Sequence, residues 1–488
     1  MFGLIIPLSL FTVAACLLIY LYFTKIYRKR RPGEAPVAKG HFLWGNGEEF
    51  NKNAVQFLLK CGKDLGDVFT IRLLNQCLTI VMDPHSYEAF SKEKNFDFNP
   101  IQEQVNWNVF SFVLKKPKAM VKIAGKTVRG PAMDKAMDNV TTEAGLSKNN
   151  NTSDMSKEWS EDGLRSLCRK TIFNAIFYTL FGREDNADFN PTIFCNEFEV
   201  YHKYFNYMWL GMPRSWFPAA TKALGRLVLQ PSSDELLCRD DASEYLKTMV
   251  AFMKSNDQNE MDIKAHNLVY LHVNYNTFKV AFWALYHILQ QREGFQALRQ
   301  EIDEILERKR QSNNPDEIIL LDQADVEGMK TLDSICLEAF RVSSGVFMVR
   351  YVTEDTKFTT SEGKEHIFRK GDRAAIYPPA IHNNPEIFED PEEYKHDRFK
   401  DKKFYRNGRE IKNPILSFGS LCPGRRMAML QLKWYMLAMV NRLDIELLPG
   451  EKAEYAVEYY GHEILPPRKD VNVRMRLRPN CRQVQLTV

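Results

Sequence analysis

One cysteine lies in a stretch whose composition suits metal binding. Residues 417–428 read SFGSLCPGRRMA, and an apolar run typical of a helix covers residues 427–440. Cys422 is therefore expected on a tight loop at a helix N-terminus, where partial positive charge and free N–H groups favour a thiolate over a thiol. A lone cysteine is more commonly a small buried hydrophobic residue. The glycines near Cys422 let the backbone approach a bound group closely, which favours a thiolate held by a metal.

A carboxylate and a guanidinium form a second feature. Glu338 and Arg341 stand three residues apart within residues 332–341, which read as a helix, so both side chains lie on one face. A solvated surface pair of this kind contributes little stability. Apolar residues flank Glu338 on both sides, however, so the pair is expected to be at least partly buried.

The longest element that the pattern predicts is a helix over residues 262–293, which contains no Gly and no Pro. Its apolar residues recur at helical spacing: Leu271, Tyr275, Phe278, Phe282, Leu285 and Leu289. Another helix is predicted at 164–181, ending at Gly182. Runs of β-branched and aromatic residues predict two strands, at 68–73 and 78–82.

Together these features resemble the cytochrome P450 family of haem-thiolate enzymes. The resemblance rests on the Cys-Pro-Gly-Arg loop, the Glu-x-x-Arg helix before it, and residues 396–399, HDRF, between them. Residues 385–388, PEIF, and 394–399 are similar to the sterol 7α- and 12α-hydroxylases and prostacyclin synthase. The resemblance is good from about Phe282 to Pro479. It implies a mainly α-helical fold with a small β-sheet subdomain.

The resemblance also implies roles for individual residues. Cys422 would be the axial ligand of the haem iron, and Arg398 would close a network with the Glu-x-x-Arg pair. Arg350 matches a position that commonly pairs with a haem propionate, and its guanidinium geometry suits a carboxylate. A plain surface arginine in a strand is the alternative reading of Arg350. Arg426 is the remaining residue expected to bind the cofactor.

The long helix is expected to cross the distal face of the haem. Counting back from Phe282, Asn276 and Thr277 match the Asn-Thr pair of the sterol hydroxylases and are the predicted catalytic residues. Where the family has Ala or Gly, this chain has Tyr275, whose phenol would crowd the oxygen site unless it turns aside. Lys279 occupies the slot of the family's proton-relaying threonine, which is proline in the sterol group.

The cysteine loop departs from the family pattern. Phe418 and Cys422 are four residues apart, whereas the family spaces its Phe and Cys seven apart. The three missing residues include a Gly and a position that often contacts a propionate, in a bulge whose N–H groups bond to the sulfur. The loop could be rebuilt, the enzyme could be impaired, or the sequence could come from a mis-spliced gene model. The sequence leaves these three explanations open.

Composition indicates a globular protein in a reducing environment. The 488 residues are 44% hydrophobic and 26% charged, and the net charge of +4 gives no indication of nucleic-acid binding. The nine cysteines form no C-x-x-C pair, which favours free thiols over a disulfide framework. Because no linker follows residue 50, residues 51–488 are expected to form one haem-thiolate domain.

The N-terminal residues predict a membrane anchor. Residues 2–23 carry no charge, and about 20 apolar residues suffice to cross a bilayer. Basic residues follow from Lys25 to Arg31, so the body should face the cytosol. A cleaved signal peptide would instead need a basic segment before the apolar run. We expect a transmembrane anchor at 1–24 and a basic, Pro-rich hinge at 25–50, with the protein in the endoplasmic reticulum membrane.

Three functions share this architecture. The first is a haem b monooxygenase that hydroxylates a sterol or similar lipid with O2 and electrons that a flavoprotein reductase passes on from NADPH. Arg425, Arg426 and Lys433 would form its basic docking patch for the reductase. The second is a haem-thiolate isomerase like prostacyclin synthase, which needs neither oxygen nor electrons. The third is a haem-poor pseudoenzyme that binds a lipid, which the shortened loop and Tyr275 suggest.

Overall fold

The computed structural model describes most of the chain. The described residues are 15–17, 19, 30–42, 44–73, 76–117, 119, 158–183, 188–209, 211–312, 314, 317–418, 422, 424–459, 463–479 and 481–487. Most of the predicted anchor at residues 2–23 lies outside these ranges. Among the residues described, no helix is both long enough and apolar enough to cross a membrane.

Helices dominate the described chain, as the sequence predicts. In chain order the α-helices are α1 (Gly47–Leu65), α2 (Tyr87–Lys92), α3 (Asn99–Asn108), α4 (Leu164–Cys168), α5 (Asn174–Phe181), α6 (Pro191–His202), α7 (Phe205–Trp209), α8 (Pro218–Leu227), α9 (Ser233–Cys238), α10 (Glu244–Ser255), α11 (Glu260–Gln290), α12 (Arg292–Lys309), α13 (Gln323–Glu327), α14 (Lys330–Ser343), α15 (Pro378–His382) and α16 (Arg425–Arg442).

The strands are short and form several small sheets. They are β1 (Val68–Leu73), β2 (Gln76–Val81), β3 (Phe96–Asp97), β4 (Ser160–Gly163), β5 (Ile318–Asp322), β6 (Met348–Val352), β7 (Thr356–Thr359), β8 (Glu365–Phe368), β9 (Arg373–Ile376), β10 (Phe404–Arg406), β11 (Arg409–Ile411), β12 (Leu443–Leu447), β13 (Asn472–Leu477) and β14 (Gln483–Thr487). The predicted fold class, mainly α with small β-sheets, is therefore confirmed.

The chain divides into two compact units. The first comprises the described residues of 1–101, 346–391 and 405–414, and the second those of 102–345, 392–404 and 415–488. The first unit contains a five-stranded sheet in the order β1-β2-β9-β6-β3. In it β1 and β2 are antiparallel, with Val68 opposite Val81. The two predicted strands are thus confirmed, the second beginning at Gln76.

The second unit is built around α11. This 31-residue helix is buried along almost its whole length, and its buried residues include polar ones such as Asn267 and Lys279. It packs against α14 and α16. A three-stranded sheet in the order β12-β13-β4 and the parallel pair β14-β5 complete the unit.

The helices that the sequence predicts for the site are all present, and each is longer than predicted or shifted slightly. α14 extends the prediction at 332–341, and α16 extends the run at 427–440. α11 begins two residues before the predicted start at 262 and ends at Gln290, because the backbone of Gln291 is extended before the next helix starts. Helix ends generally vary by one or two residues.

The predicted helix at 164–181 contains a local irregularity. Its outer parts are α4 and α5, and a π-helical turn, Arg169–Phe173, joins them. Gly182 ends the run as predicted, with φ of +80° and its N–H bonded to the Tyr178 carbonyl. Only glycine adopts this φ without strain. Arg165 and Arg169, four residues apart at the start of this run, both donate to Glu199.

Candidate active site

The predicted Glu338–Arg341–Arg398 network lies buried in the second unit. Arg341 donates from Nε to Glu338 Oε2 and from Nη2 to Oε1, both at 2.8 Å. Arg398 donates from Nε to Glu338 Oε1, also at 2.8 Å. Glu338 is 0% exposed. One carboxylate therefore binds two guanidinium groups, the first of them bidentately, which is the stronger form of such a pair.

The same network holds a stretch of backbone onto α14. Arg341 and Arg398 both donate to the Glu393 carbonyl, at 3.1 and 2.8 Å. The Lys395 N–H donates to Glu338 Oε1 at 3.1 Å. Since three donors on two sequence segments meet at these acceptors, the network fixes the segment after Glu393 beside the helix.

Cys422 lies just before the N-terminus of α16, as predicted. Its side chain is exposed. The surrounding protein raises the pKa of the Cys422 thiol, while the backbone N–H groups of Gly424 and Arg425 and the Arg425 guanidinium lower it. A metal ion deprotonates a thiol that binds it. The donors expected at a helix N-terminus are therefore present, and they would act on a metal-bound thiolate.

The residues before Cys422 are attached to α14. Ser417 donates from Oγ to the Phe340 carbonyl at 3.0 Å, and the Phe418 ring lies 4.5 Å from the Phe340 ring, centroid to centroid. The Arg425 guanidinium lies 5.7 Å from the centre of the Phe418 ring. Residues 419–421 and 423 are outside the described ranges, so the effect of the shortened spacing stays a prediction.

One of the two predicted catalytic residues, Asn276, lies on the face of α11 that binds the C-terminal part of the chain. Asn276 accepts the Ile464 N–H at 3.0 Å, and Thr277 is buried. Trp283 donates from Nε1 to the Leu465 carbonyl at 2.7 Å. Because Asn276 is bonded to backbone, its side chain has a fixed orientation. Its catalytic role stays a prediction.

Lys279 belongs to the same face of α11 and is buried in an ion pair. Its Nζ lies 2.7 Å from Glu463 Oε2, and Lys279 and Glu463 are 2% and 0% exposed. His202 Nε2 lies 2.8 Å from the same oxygen. Burial lowers the pKa of Lys279, and the charge of Glu463 opposes this by favouring the ammonium form. Burial also lowers the pKa of His202.

Tyr275 turns its phenol towards α6. The hydroxyl donates to Glu199 Oε1 at 3.0 Å, and the same oxygen accepts from Arg165 Nη2 at 2.9 Å and Arg169 Nη2 at 3.0 Å. Lys279 Nζ lies 5.0 Å from the centre of the Tyr275 ring. We call the charged groups at this place the ionic cluster: Arg165, Arg169, Glu199, Lys279 and Glu463.

Sequence reasoning did not identify the partners in the ionic cluster. A lysine in the middle of a buried apolar helix requires a compensating charge, so Lys279 was itself a signal that an acidic residue would lie nearby. The sequence did not indicate which one, since Glu463 and Glu199 come from distant segments.

Two further predicted residues have clear positions but untested roles. Arg350 lies on β6 in the first unit, where it is 9% exposed and its guanidinium lies 5.0 Å from the centre of the Phe98 ring. Arg426 is exposed on α16, with Nε 3.7 Å from Glu327 Oε1. The binding of the cofactor by these two arginines stays a prediction.

One expectation about the surface of α16 is wrong. Lys433 was expected to join Arg425 and Arg426 in a basic docking patch. Its side chain is only 6% exposed, and Nζ lies 2.7 Å from Asp333 Oδ1. An ammonium that is buried and already paired cannot meet a partner protein, so Lys433 does not belong to such a patch.

Comparison with known proteins agrees with this arrangement. The family model for Cytochrome P450 matches residues 35–470. Cytochrome P450 7B1 of Mus musculus is 28% identical over 466 residues, with 91% of each chain covered. Cytochrome P450 7A1 of Oryctolagus cuniculus is 28% identical, covering 92% of this chain and 95% of its own length. The 5-beta-cholestane-3-alpha,7-alpha-diol 12-alpha-hydroxylase of Sus scrofa is 28% identical, covering 94% and 96%.

The chain belongs to the cytochrome P450 family. It is therefore a P450 monooxygenase, an oxidoreductase, and its resemblance to the sterol hydroxylase group is confirmed. The predicted cofactors, haem iron and electrons from NADPH, are those of this family. The residues present fit a haem iron, because Cys422 offers an exposed sulfur close to two backbone N–H groups at a helix N-terminus.

Proposed function

We propose that this protein hydroxylates a sterol or similar lipid with molecular oxygen. The observation that carries the proposal is the likeness, over more than nine tenths of the chain, to proteins whose names describe sterol hydroxylases. The buried network at Glu338 and the position of Cys422 support it from the structure. The alternatives were a haem-thiolate isomerase and a haem-poor pseudoenzyme that binds a lipid, and no contact in the described residues favours the isomerase.

In this proposal the sulfur of Cys422 would hold the iron of haem b. When bound, the haem iron supplies the activation of oxygen and its insertion into a C–H bond. Gly424 and Arg425 lower the pKa of the thiol through their backbone N–H groups and would help to hold negative charge on the sulfur. Ser417 and Phe418 fix the chain that leads into the loop against α14.

The distal side of the site is assigned to α11. Thr277 and Asn276 would orient the oxygen and pass protons to it, and the bond from Ile464 N–H holds the amide of Asn276 in place. The hydroxyl of Tyr275 donates its hydrogen bond to Glu199 and not to Asn276. Arg426, in the same unit as Cys422, would bind a propionate of the haem, and the same role for Arg350 stays a prediction.

Electron supply and location complete the proposal. A flavoprotein reductase would pass electrons from NADPH, and the exposed side chain of Arg425 would bind its acidic surface. Residues 2–23 would anchor the protein in the endoplasmic reticulum membrane with the catalytic part in the cytosol. Full-length protein should stay with membranes after an alkaline carbonate wash, whereas a variant lacking residues 1–29 should be released.

Turnover tests the proposed chemistry. The haem-loaded protein is mixed with reductase, NADPH and a panel of sterols, and the products are analysed by mass spectrometry. The proposal predicts a product one oxygen atom heavier that forms only with NADPH and the reductase. Rearrangement of a lipid endoperoxide without either would support the isomerase instead. A normal haem spectrum without sterol oxidation would contradict the proposed substrate.

A further inference from the structure

A cavity opens beside the ionic cluster in the second unit. It has a volume of about 210 Å³ and is lined from α4, α6 and α11 by Arg165, Glu199, His202, Tyr275 and Lys279. Its outer wall includes Glu458 and Arg468. We call it the polar cavity. Pockets for whole drug-sized ligands measure roughly 300–1,000 Å³, so this one has room for an end group of a lipid rather than for a complete sterol.

Positive charge exceeds negative charge behind the polar cavity. The ionic cluster contains three cations and two carboxylates among the described residues. Glu463 is paired with Lys279. Glu199 alone is shared by Arg165 and Arg169. One guanidinium charge in the cluster is therefore left without an opposite carboxylate charge.

The two carboxylates that line the cavity, Glu199 and Glu458, already form hydrogen bonds or ion pairs with other residues. Glu199 accepts from both arginines and from Tyr275, as described above. At the outer wall, Glu458 Oε2 lies 2.9 Å from Arg468 Nη2. These contacts balance the negative charge of both carboxylates. The net electrostatic field in the cavity is therefore positive and comes from the excess guanidinium group.

Donors remain for a ligand to use. The Nε atoms of Arg165 and Arg169 are buried, and within the described part of the chain neither has a hydrogen-bond partner. A buried donor without a partner is unfavourable, so a ligand group that reached it and accepted its hydrogen bond would be stabilised. Of these two arginines, Arg165 lines the cavity.

We propose that the polar cavity binds an oxyanion, a carboxylate or sulfate, carried by the lipid substrate. Arg165 would hold its charge, and Lys279 and Tyr275 would border it. The inference rests on the proposed function and adds the chemical class of the substrate's end group. Anchored at this point on α11, the lipid would extend from the helix that also carries the proposed distal residues Asn276 and Thr277.

Direct binding tests the inference on the full-length, haem-loaded protein. Three probes are titrated by calorimetry at one salt concentration: cholesterol sulfate, cholesterol and sodium sulfate. We expect cholesterol sulfate to bind at least about tenfold more tightly than cholesterol. Sodium sulfate is expected to compete with cholesterol sulfate at high concentration, since both present the same oxyanion.

Arg165→Gln and Arg169→Gln form a matched pair of variants. Each variant removes one of the two guanidinium groups that bond to Glu199 and keeps the other. Of the two arginines, only Arg165 lines the polar cavity. We expect Arg165→Gln to lower the affinity for cholesterol sulfate at least about tenfold and to leave the affinity for cholesterol unchanged. Arg169→Gln should change the affinity for cholesterol sulfate less than about threefold. A haem spectrum and melting curve of each variant verify that it is folded.

The outcomes separate this inference from the proposed function. Equal affinities for the two sterols, or equal effects of the two variants, would overturn the inference while the sterol function stands. Binding of sodium sulfate without a preference for cholesterol sulfate would show a site for a free anion and overturn the lipid-borne assignment. If neither sterol binds a protein with a normal haem spectrum, both the sterol function and the inference are contradicted.

Discussion

Several charged residues of the site are buried in ion pairs and depend on their partners for stability. Glu338 is fully buried and binds Arg341 and Arg398, so neither arginine can be removed without changing its environment. Lys279 and Glu463 form a second buried pair of the same kind. Breaking a buried pair usually destabilises a protein by several kcal/mol, whereas exposed pairs contribute little.

Arg398→Met should therefore be strongly destabilising. It removes one of the two guanidinium groups on Glu338 and a hydrogen bond to the Glu393 carbonyl, for an expected loss of about 3–5 kcal/mol in the free energy of unfolding. Urea unfolding at neutral pH measures it. The control is Lys52→Met, which breaks an exposed pair with Glu48 and should leave the free energy of unfolding almost unchanged. Equal effects would contradict the importance of the buried network.

His266 should contribute to acid sensitivity. Burial lowers the pKa of His266 to about 3, whereas an unfolded histidine titrates near pH ~6.5. Between these values the unfolded chain binds one more proton, so stability falls as pH falls. His266→Phe should therefore reduce the slope of the free energy of unfolding against pH between pH 4 and 6. The expected reduction is about 1.4 kcal/mol per pH unit, which corresponds to one proton. An unchanged slope would mean that His266 is protonated in the native protein.

The sequence predicted some of these residues and not others for a physical reason. Glu338 and Arg341 are three residues apart on one helix, so local spacing was enough to pair them. Arg398 was found through the family resemblance. Glu463 and His202 meet Lys279 only because three distant segments fold together, and no local pattern contains that information.

At the scale of elements, α11 organises the second unit. Its polar face meets the C-terminal part of the chain through residues spaced three or four apart: Asn276, Lys279, Trp283 and His287. This spacing is that of one helical face. The helix was predicted from its periodicity and its lack of Gly and Pro. The π-helical turn at Arg169–Phe173 was not predicted. It differs from an α-helix only in its backbone hydrogen bonds, and the pattern of side chains does not indicate that difference.

The bond from Trp283 to the Leu465 carbonyl should hold the C-terminal segment on α11. Trp283→Phe keeps a ring but removes the donor. Trp434→Phe in α16 is its control, because Trp434 is equally buried and its Nε1 has no partner in the described residues. Beyond the effect of the control, Trp283→Phe should cost about 1 kcal/mol of unfolding free energy. It should also speed hydrogen exchange near residue 465, and equal behaviour of both variants would argue against this attachment.

At the scale of the whole molecule, the family could be predicted because its motifs are local and specific. The Glu-x-x-Arg helix, the HDRF stretch and the Cys-Pro-Gly-Arg loop each lie within a dozen residues. The mainly helical fold followed from them and is present. The division into two compact units was not foreseen, since each unit is drawn from separated stretches of chain and no linker marks the change.

The account depends most on whether Cys422 binds iron as a thiolate despite its shortened loop. The direct measurement is the carbon monoxide difference spectrum of the reduced, purified protein, recorded beside Cys422→Ala and beside Cys238→Ala, which removes another exposed cysteine. We predict a strongly red-shifted Soret band in the parent protein and in Cys238→Ala that is lost in Cys422→Ala. Absence of that band from protein expressed with an ample haem supply would contradict the account.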